Sequence, residues 1–261
     1  MVVANGISTR LFVPRGTETG IAIPGIEPEY KKAVANGVPP DDIPLNGLVL
    51  YLPLHLLYGS KVRSADDYKH TGTVTGTVWG PSGWLFDATD DKIDYGQPDV
   101  LKLEHTDPFA LVIWIKRVAG AGNRTILKKQ QSGGAAQGYH ILITASKLEL
   151  ILSNNSATNA IQVDATSSML VGSWQMWVLN YDGSSAAAGV SYFWGNPTEA
   201  PVADTPVITT DTLTGSILYD TSVYTGSTLN STLGILALYK GRTFSLADAA
   251  RFRDATCWRF A

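Results

Sequence analysis

Residues Trp84 to Gly96 read WLFDATDDKIDYG, with Asp87, Asp90, Asp91 and Asp94 set between two apolar runs. An Asp-x-Asp-x-Asp-Gly calcium loop needs its carboxylates on alternate positions and an early glycine, and here the glycine comes last. Short aspartate side chains also bond nearby backbone amides and so make turns. The stretch therefore reads as a hairpin: Leu85 and Phe86 lead in, Ala88 to Asp91 turn, and Ile93 and Tyr95 lead out.

The same grammar continues outward on both sides. LVLYLPL, GTVTGTVW, FALVIWIKR, RTILKKQ, YHILITA, KLELILSN, AIQVDA, WQMWVLNYDG, VSYFWGN, PVITT, SILYD and ILALYKGR are short β-prone runs separated by Gly, Asn, Asp and Ser clusters. In LELILS, Leu148, Leu150 and Leu152 alternate with Glu149, Ile151 and Ser153, as on a strand with one buried face. FALVIWI is apolar on both faces and belongs between two layers. QSGGAAQG joins two strands as a hairpin connection, and TGTVTGTV holds a glycine turn between strands. One helix is expected, SLADAARFRDA, capped by Ser245 with Asp248 three residues on. Many strands without recurring helices give an all-β antiparallel sandwich of jelly-roll type with one short C-terminal helix.

Residues 1–46 differ in kind. They hold six of the 13 prolines and little alternation, and read as an extended arm with a short helix near 28–36, started by Pro28 and stopped by Gly37. The sandwich is expected over 47–261. Four cations against five carboxylates leave the arm without a polybasic character. Leu11, Phe12, Ile21, Ile23, Ile26 and Tyr30 are the side chains by which it would dock, on another subunit or on the sandwich of its own chain.

With 261 residues, 44% hydrophobic and 16% charged, the chain can bury a large core. Its apolar runs fall far short of the ~20 residues a membrane helix needs. The N-terminus shows no secretory pattern, so synthesis in the cytoplasm without a signal peptide is expected. Cys257 is the single cysteine, which excludes an internal disulfide and a zinc site with two thiolates. A net charge of −3 and the lack of a basic, aromatic-interleaved run argue against nucleic acid.

Together GLVLYLPL, HTGTVTGTVW, WLFDATDDKIDYG, FALVIWIKR, TILKKQ, GYHILIT, GSWQMWVLNYDGS and ILALYKGRTFSLADAARF, in this order over roughly residues 46–261, resemble the laminin-G-like domains of the concanavalin A-like lectin/glucanase superfamily. The resemblance implies glycan binders, glycoside hydrolases and adhesive modules, often with calcium at the sandwich edge. Fold does not choose among these. The glucanase branch implies paired carboxylates in a Glu-x-Asp-x-x-Glu strand, and this domain has only Glu104, Glu149 and Glu199, widely spaced. Two positions where the calcium branch often carries acids hold His55 and the Gly234–Ile235 pair. Asp66 and Asp67 are the remaining candidates for a Ca2+ ion, and otherwise no cofactor is expected.

The scattered histidines His55, His70, His105 and His140 give no ligand or triad spacing. Trp84, Trp114, Trp174 and Trp177 lie in strand patterns and are expected in the core, whereas Trp79, Tyr192 and Trp194 stand near strand ends and could stack on sugar rings. An adhesive-type fold with no signal, no disulfide and a proline-rich arm fits a non-catalytic structural subunit of a larger particle. A virion is the best match, such as a phage capsid decoration or surface protein, with partners in a homo-oligomer or capsid shell. A carbohydrate-binding module recognising a surface glycan is the alternative, and a glycoside hydrolase ranks third.

Overall fold

A computed structural model describes residues 42–56, 60–120 and 122–261. The expected docking side chains Leu11, Phe12, Ile21, Ile23, Ile26 and Tyr30, and the helix near 28–36, lie outside the described residues. Along the chain run β1 (Leu48–Pro53), β2 (Lys61–Arg63), β3 (Thr71–Thr75), β4 (Val78–Gly80), β5 (Gly83–Asp87), β6 (Lys92–Asp94), β7 (Phe109–Arg117) and β8 (Arg124–Gln130). They continue with β9 (Gly138–Thr144), β10 (Lys147–Asn155), β11 (Asn159–Ala165), β12 (Trp174–Tyr181), β13 (Val190–Gly195), β14 (Val202–Asp204), β15 (Pro206–Asp211), β16 (Tyr224–Gly226) and β17 (Asn230–Lys240). Helix α1 (Leu246–Thr256) follows them.

The strands form two antiparallel sheets. One has eight strands in the order β14-β13-β12-β7-β17-β5-β4, with β1 also paired to β17, and the other has nine in the order β15-β11-β10-β9-β8-β16-β6-β3-β2. Between the sheets lies the main core, to which β7 gives Phe109, Leu111, Ile113 and Ile115 and β10 gives Leu148, Leu150 and Leu152. The alternate residues of β7, Ala110, Val112 and Trp114, face the other way into a second core with Phe244, Ala249, Phe252 and Phe260. That explains why FALVIWI is apolar on both faces: α1 and the C-terminal residues seal the outer face of the eight-stranded sheet. Ile43 is buried in this second core as well.

The helix start is as expected. Ser245 accepts a bond from the Asp248 amide while the Asp248 carboxylate accepts from the Ser245 amide, a complete capping box. QSGGAAQG does join the paired strands β8 and β9.

The opening stretch is a correction. β5 and β6 do not pair with each other: β5 pairs β17 and β4, while β6 pairs β3 and β16 in the facing sheet. WLFDATDDKIDYG is therefore an arch that carries the chain from one sheet to the other, with Phe86 and Ile93 both pointing into the core between them. Its local chemistry is as read. The Thr89 amide donates to Asp87, the Asp87 amide to Asp91 and the Gly96 amide to Asp94. TGTVTGTV likewise steps between sheets, β3 lying in one and β4 in the other. Alternation states which face of a strand is buried and is silent about which neighbour completes its hydrogen bonds.

Gly234 also finds its reason here. A β-carbon at this position would lie 2.2 Å from the Phe260 ring, so the C-terminal aromatic can close the second core only over a glycine. The position that the resembled family often fills with an acid is here occupied by packing.

Candidate functional site

The outward face of the nine-stranded sheet is the part of the sandwich that no described helix covers. Register aligns its outward side chains in a row across six strands: Lys61 opposite Thr73, Thr73 opposite Asp94, Asp94 opposite Tyr224, Tyr224 opposite Lys128 and Lys128 opposite His140. The alternate residues Val62, Ile93, Leu127 and Tyr139 point into the core, which fixes the polar set outward. An open groove of about 520 Å3 runs along this face, walled by Thr71, Thr73, Thr75, Lys92, Asp94 and Gly96. Three threonines on alternate positions of β3 give it a ladder of hydroxyls that donate and accept. Lys92 and Asp94 form an ion pair at 3.7 Å on its floor.

Gly76 follows the end of the groove, against the arch between β5 and β6. There the structure gathers Asp87, Asp90 and Asp91, one carboxylate oxygen from each lying within 4.8 Å of the others. Asp91 is buried, and that burial, foremost, holds its carboxyl above the usual aspartate range. An oxygen of Asp87 and one of Asp91 already accept amides of the arch, so the set supplies part of the six to eight oxygens calcium takes. Sequence spacing concealed this convergence, because the three carboxylates meet only where the turn folds back.

Both carboxylate oxygens of Asp66, one of the expected metal pair, are engaged by backbone amides. Asp66 is buried, with one oxygen accepting the Tyr51 amide at 2.8 Å and the other the Tyr68 amide at 2.9 Å, and Asp67 is exposed beside it. Asp66 is thus a fastener between β1 and the loop after β2. The expected aromatic set is corrected too. Tyr192 is wholly buried between the sheets, its hydroxyl donating to the Val163 carbonyl, because its alternation along β13 places it inward. Trp194 is partly buried and stacks on Trp177 at 6.0 Å. Trp79 keeps 36% of its surface and donates its indole N–H to the His55 carbonyl. It sits on β4 and Trp194 on β13, toward opposite edges of the eight-stranded sheet, so they build no common platform.

Of the four tryptophans expected in the core, Trp84, Trp114 and Trp177 are buried, and Trp174 packs against Phe260 at 4.6 Å.

Two constellations invite catalytic readings. Glu149 and Asp164 are direct cross-strand neighbours on the outward face. Burial, the larger cause in each, raises both carboxyls above their usual range, and Glu149 is also raised by the charge of Asp164. The Glu149 oxygens are taken by the Thr144 hydroxyl and, at 2.5 Å, the Gln162 amide, and the residue is 2% exposed. The second, unforeseen from sequence, sets the Ser185 hydroxyl 2.7 Å from His105 Nδ1, with Ser185 at a φ of 61°. Glu104 lies 3.8 Å from His105 Nε2, beyond hydrogen-bond range, and its oxygens accept from Ser216 and from the amides of Ile217 and His105. The relay that an acyl-transfer triad needs is therefore not assembled.

No protein-family model and no curated protein matches the sequence. Solved structures do match in fold. The Trypanosoma rangeli sialidase superposes with a TM-score of 0.57 at 14% identity over 86% of this chain and 37% of its own. The binding domain of botulinum neurotoxin DC gives 0.57 at 14% over 79% of this chain and 51% of its own, and that of Paraclostridial mosquitocidal protein 1 gives 0.52 at 9% over 79% and 52%. The chain thus spans about half or less of these structures. At such identities the likeness establishes an antiparallel β-sandwich fold and nothing finer.

Proposed function

We propose that this chain is a non-catalytic adhesive module that binds a saccharide along the open face of its nine-stranded sheet. The observation that carries the reading is the asymmetry of the two outer faces. One is sealed by α1 with an apolar core, while the other presents hydroxyls, an ion pair, Tyr224 and a groove of about 520 Å3. Shallow polar sites with one aromatic suit saccharides, whose hydroxyls replace water at little cost. Support by fold comes from the sialidase structure that holds sialic acid and from the neurotoxin and mosquitocidal binding domains. The absence of catalysis is supported by the occupied oxygens of Glu104 and Glu149. A glycan array tests the reading, with Thr73→Arg filling the groove. Binding that Thr73→Arg leaves intact would move the site elsewhere.

A second reading, assembly into a larger particle such as a virion through residues 1–46, is favoured by the lateral edge. There β15 is exposed, with Val207 and Ile208 44% and 50% accessible, and Val202 of β14 is 50% accessible. Unpaired edge strands of this kind are templates for another chain. Deleting residues 1–44 and measuring folding and incorporation separately tests it. Normal incorporation of the truncated protein would refute the role of the arm.

A further inference from the structure

We infer that the saccharide taken by the open face is anionic, bearing carboxylate or sulfate groups, and that Lys128 is the residue that selects it. The inference rests on the saccharide reading above. Its basis is an unbalanced charge. Lys128 points outward from β8 in the row between Tyr224 and His140, is partly buried, and its ammonium makes no hydrogen bond or ion pair with any described residue. Burial alone holds its ammonium below the usual lysine range. A cation that has lost part of its hydration and has no partner is disfavoured, and an anion brought alongside offsets that loss better than a neutral group does.

Among the described residues the surroundings supply no counter-charge to Lys128. His140, its register partner, donates nothing negative, and burial first, then the charge of Lys128, push its pKa down to about 3, so it is neutral at ordinary pH. Asp94 is the carboxylate of the row and is held by Lys92. Glu149 and Asp164 lie beyond β9, and Glu149 is tied to Thr144 and Gln162. At the opposite end of the row, Lys61 and Arg63 are exposed on β2 and make no described ion pair. Four strand spacings separate Lys61 from Lys128, roughly 19 Å at ~4.8 Å each. An extended acidic oligosaccharide can therefore meet cations at both ends of the row, with the threonine ladder and Tyr224 between them. Asp87, Asp90 and Asp91 close the end beyond Thr75, which directs negative groups toward Lys128 rather than toward the arch.

Lys128 acts as a specificity residue because the two classes of ligand differ in what they leave behind. A site with a buried polar group discriminates strongly against a ligand that cannot satisfy it. The experiment uses the full chain and saccharide pairs identical but for the acid, lactose against sialyllactose and against sulfated lactose, titrated calorimetrically at low and high salt. The expected result is at least a tenfold preference for an acidic member that shrinks with salt. In Lys128→Met the preference collapses to the level of the neutral sugar with the fold intact, and in Lys128→Arg it is retained. Equal binding of neutral and acidic members, or a preference that survives Lys128→Met, overturns the inference and leaves the saccharide reading standing. Binding of neither overturns both. Displacement by polyphosphate or single-stranded DNA as effective as by the acidic sugar overturns it also, since the face would then read charge alone.

Discussion

Truncating Phe252 to alanine tests the asymmetry of the two outer faces, on which the placement of the site depends. Phe252 is wholly buried at the middle of α1, with its ring 6.3 Å from that of Phe244, which in turn lies 4.6 Å from Tyr239 of β17. Removing a fully buried phenylalanine loses its transfer free energy and leaves a cavity, about 3–5 kcal/mol together. Beneath it β17 is strand-paired on both sides, so little collapse can recover that loss. For a domain of this size ~1 kcal/mol moves Tm by about 2–4 °C, so Phe252→Ala should lower it by roughly 6–20 °C. The companion change is Thr73→Val on the open face, which keeps the β-branched shape and should stay within about 0.5 kcal/mol. Urea unfolding of both variants against the parent supplies the numbers, with an unchanged slope showing that the unfolded reference has not moved. A loss below about 1 kcal/mol for Phe252→Ala would refute the sealed third layer. A loss at Thr73→Val as large as that at Phe252 would mean that the face taken to be open is covered.

Three further outcomes follow from particular contacts. Ser245→Ala breaks the capping box and should cost about 1 kcal/mol, read as a lower urea midpoint, whereas Ser245→Asp should recover most of it. Gly83→Ala should prevent normal folding, because a β-carbon there would lie 2.0 Å from the Leu233 carbonyl oxygen at a φ of 145°; a soluble variant with parental Tm would contradict the β5–β17 register. The carboxyl of Glu149 is raised in the folded state, so its contribution to stability grows as pH falls through the folded pKa and is lost as pH rises. The stability difference between parent and Glu149→Gln should therefore move in favour of the parent as pH falls from neutral toward the ordinary glutamate range, and a constant or opposite trend would show that the carboxylate is not desolvated.

Much of the architecture is legible in the residues alone. The alternation of Leu148, Leu150 and Leu152, the two-sided apolarity of FALVIWI and the Ser245 cap each announce a local environment. Each is borne out because propensity, periodicity and capping act within a few residues. The functional face was not legible in the same way. Tyr192 stands near a strand end in the sequence, yet the pleat of β13 turns it inward, and the Asp66 oxygens accept backbone amides from fifteen residues back and two ahead. In both cases neighbours in space, and not neighbours in the chain, decide what the side chain meets.

Short alternating runs and turn residues specify strands wherever they are later paired, so the residues alone carry the all-β sandwich and the helix that follows its last strand. It is long-range strand pairing alone that makes WLFDATDDKIDYG cross between sheets instead of folding back on itself. Only the structure, too, brought Asp87, Asp90 and Asp91 together and lined up Lys61, Thr73, Asp94, Tyr224, Lys128 and His140 across six strands. The physical reason is the same in each case. Strand formation is a local preference, whereas pairing is a choice among distant partners settled by which arrangement buries both apolar faces at once.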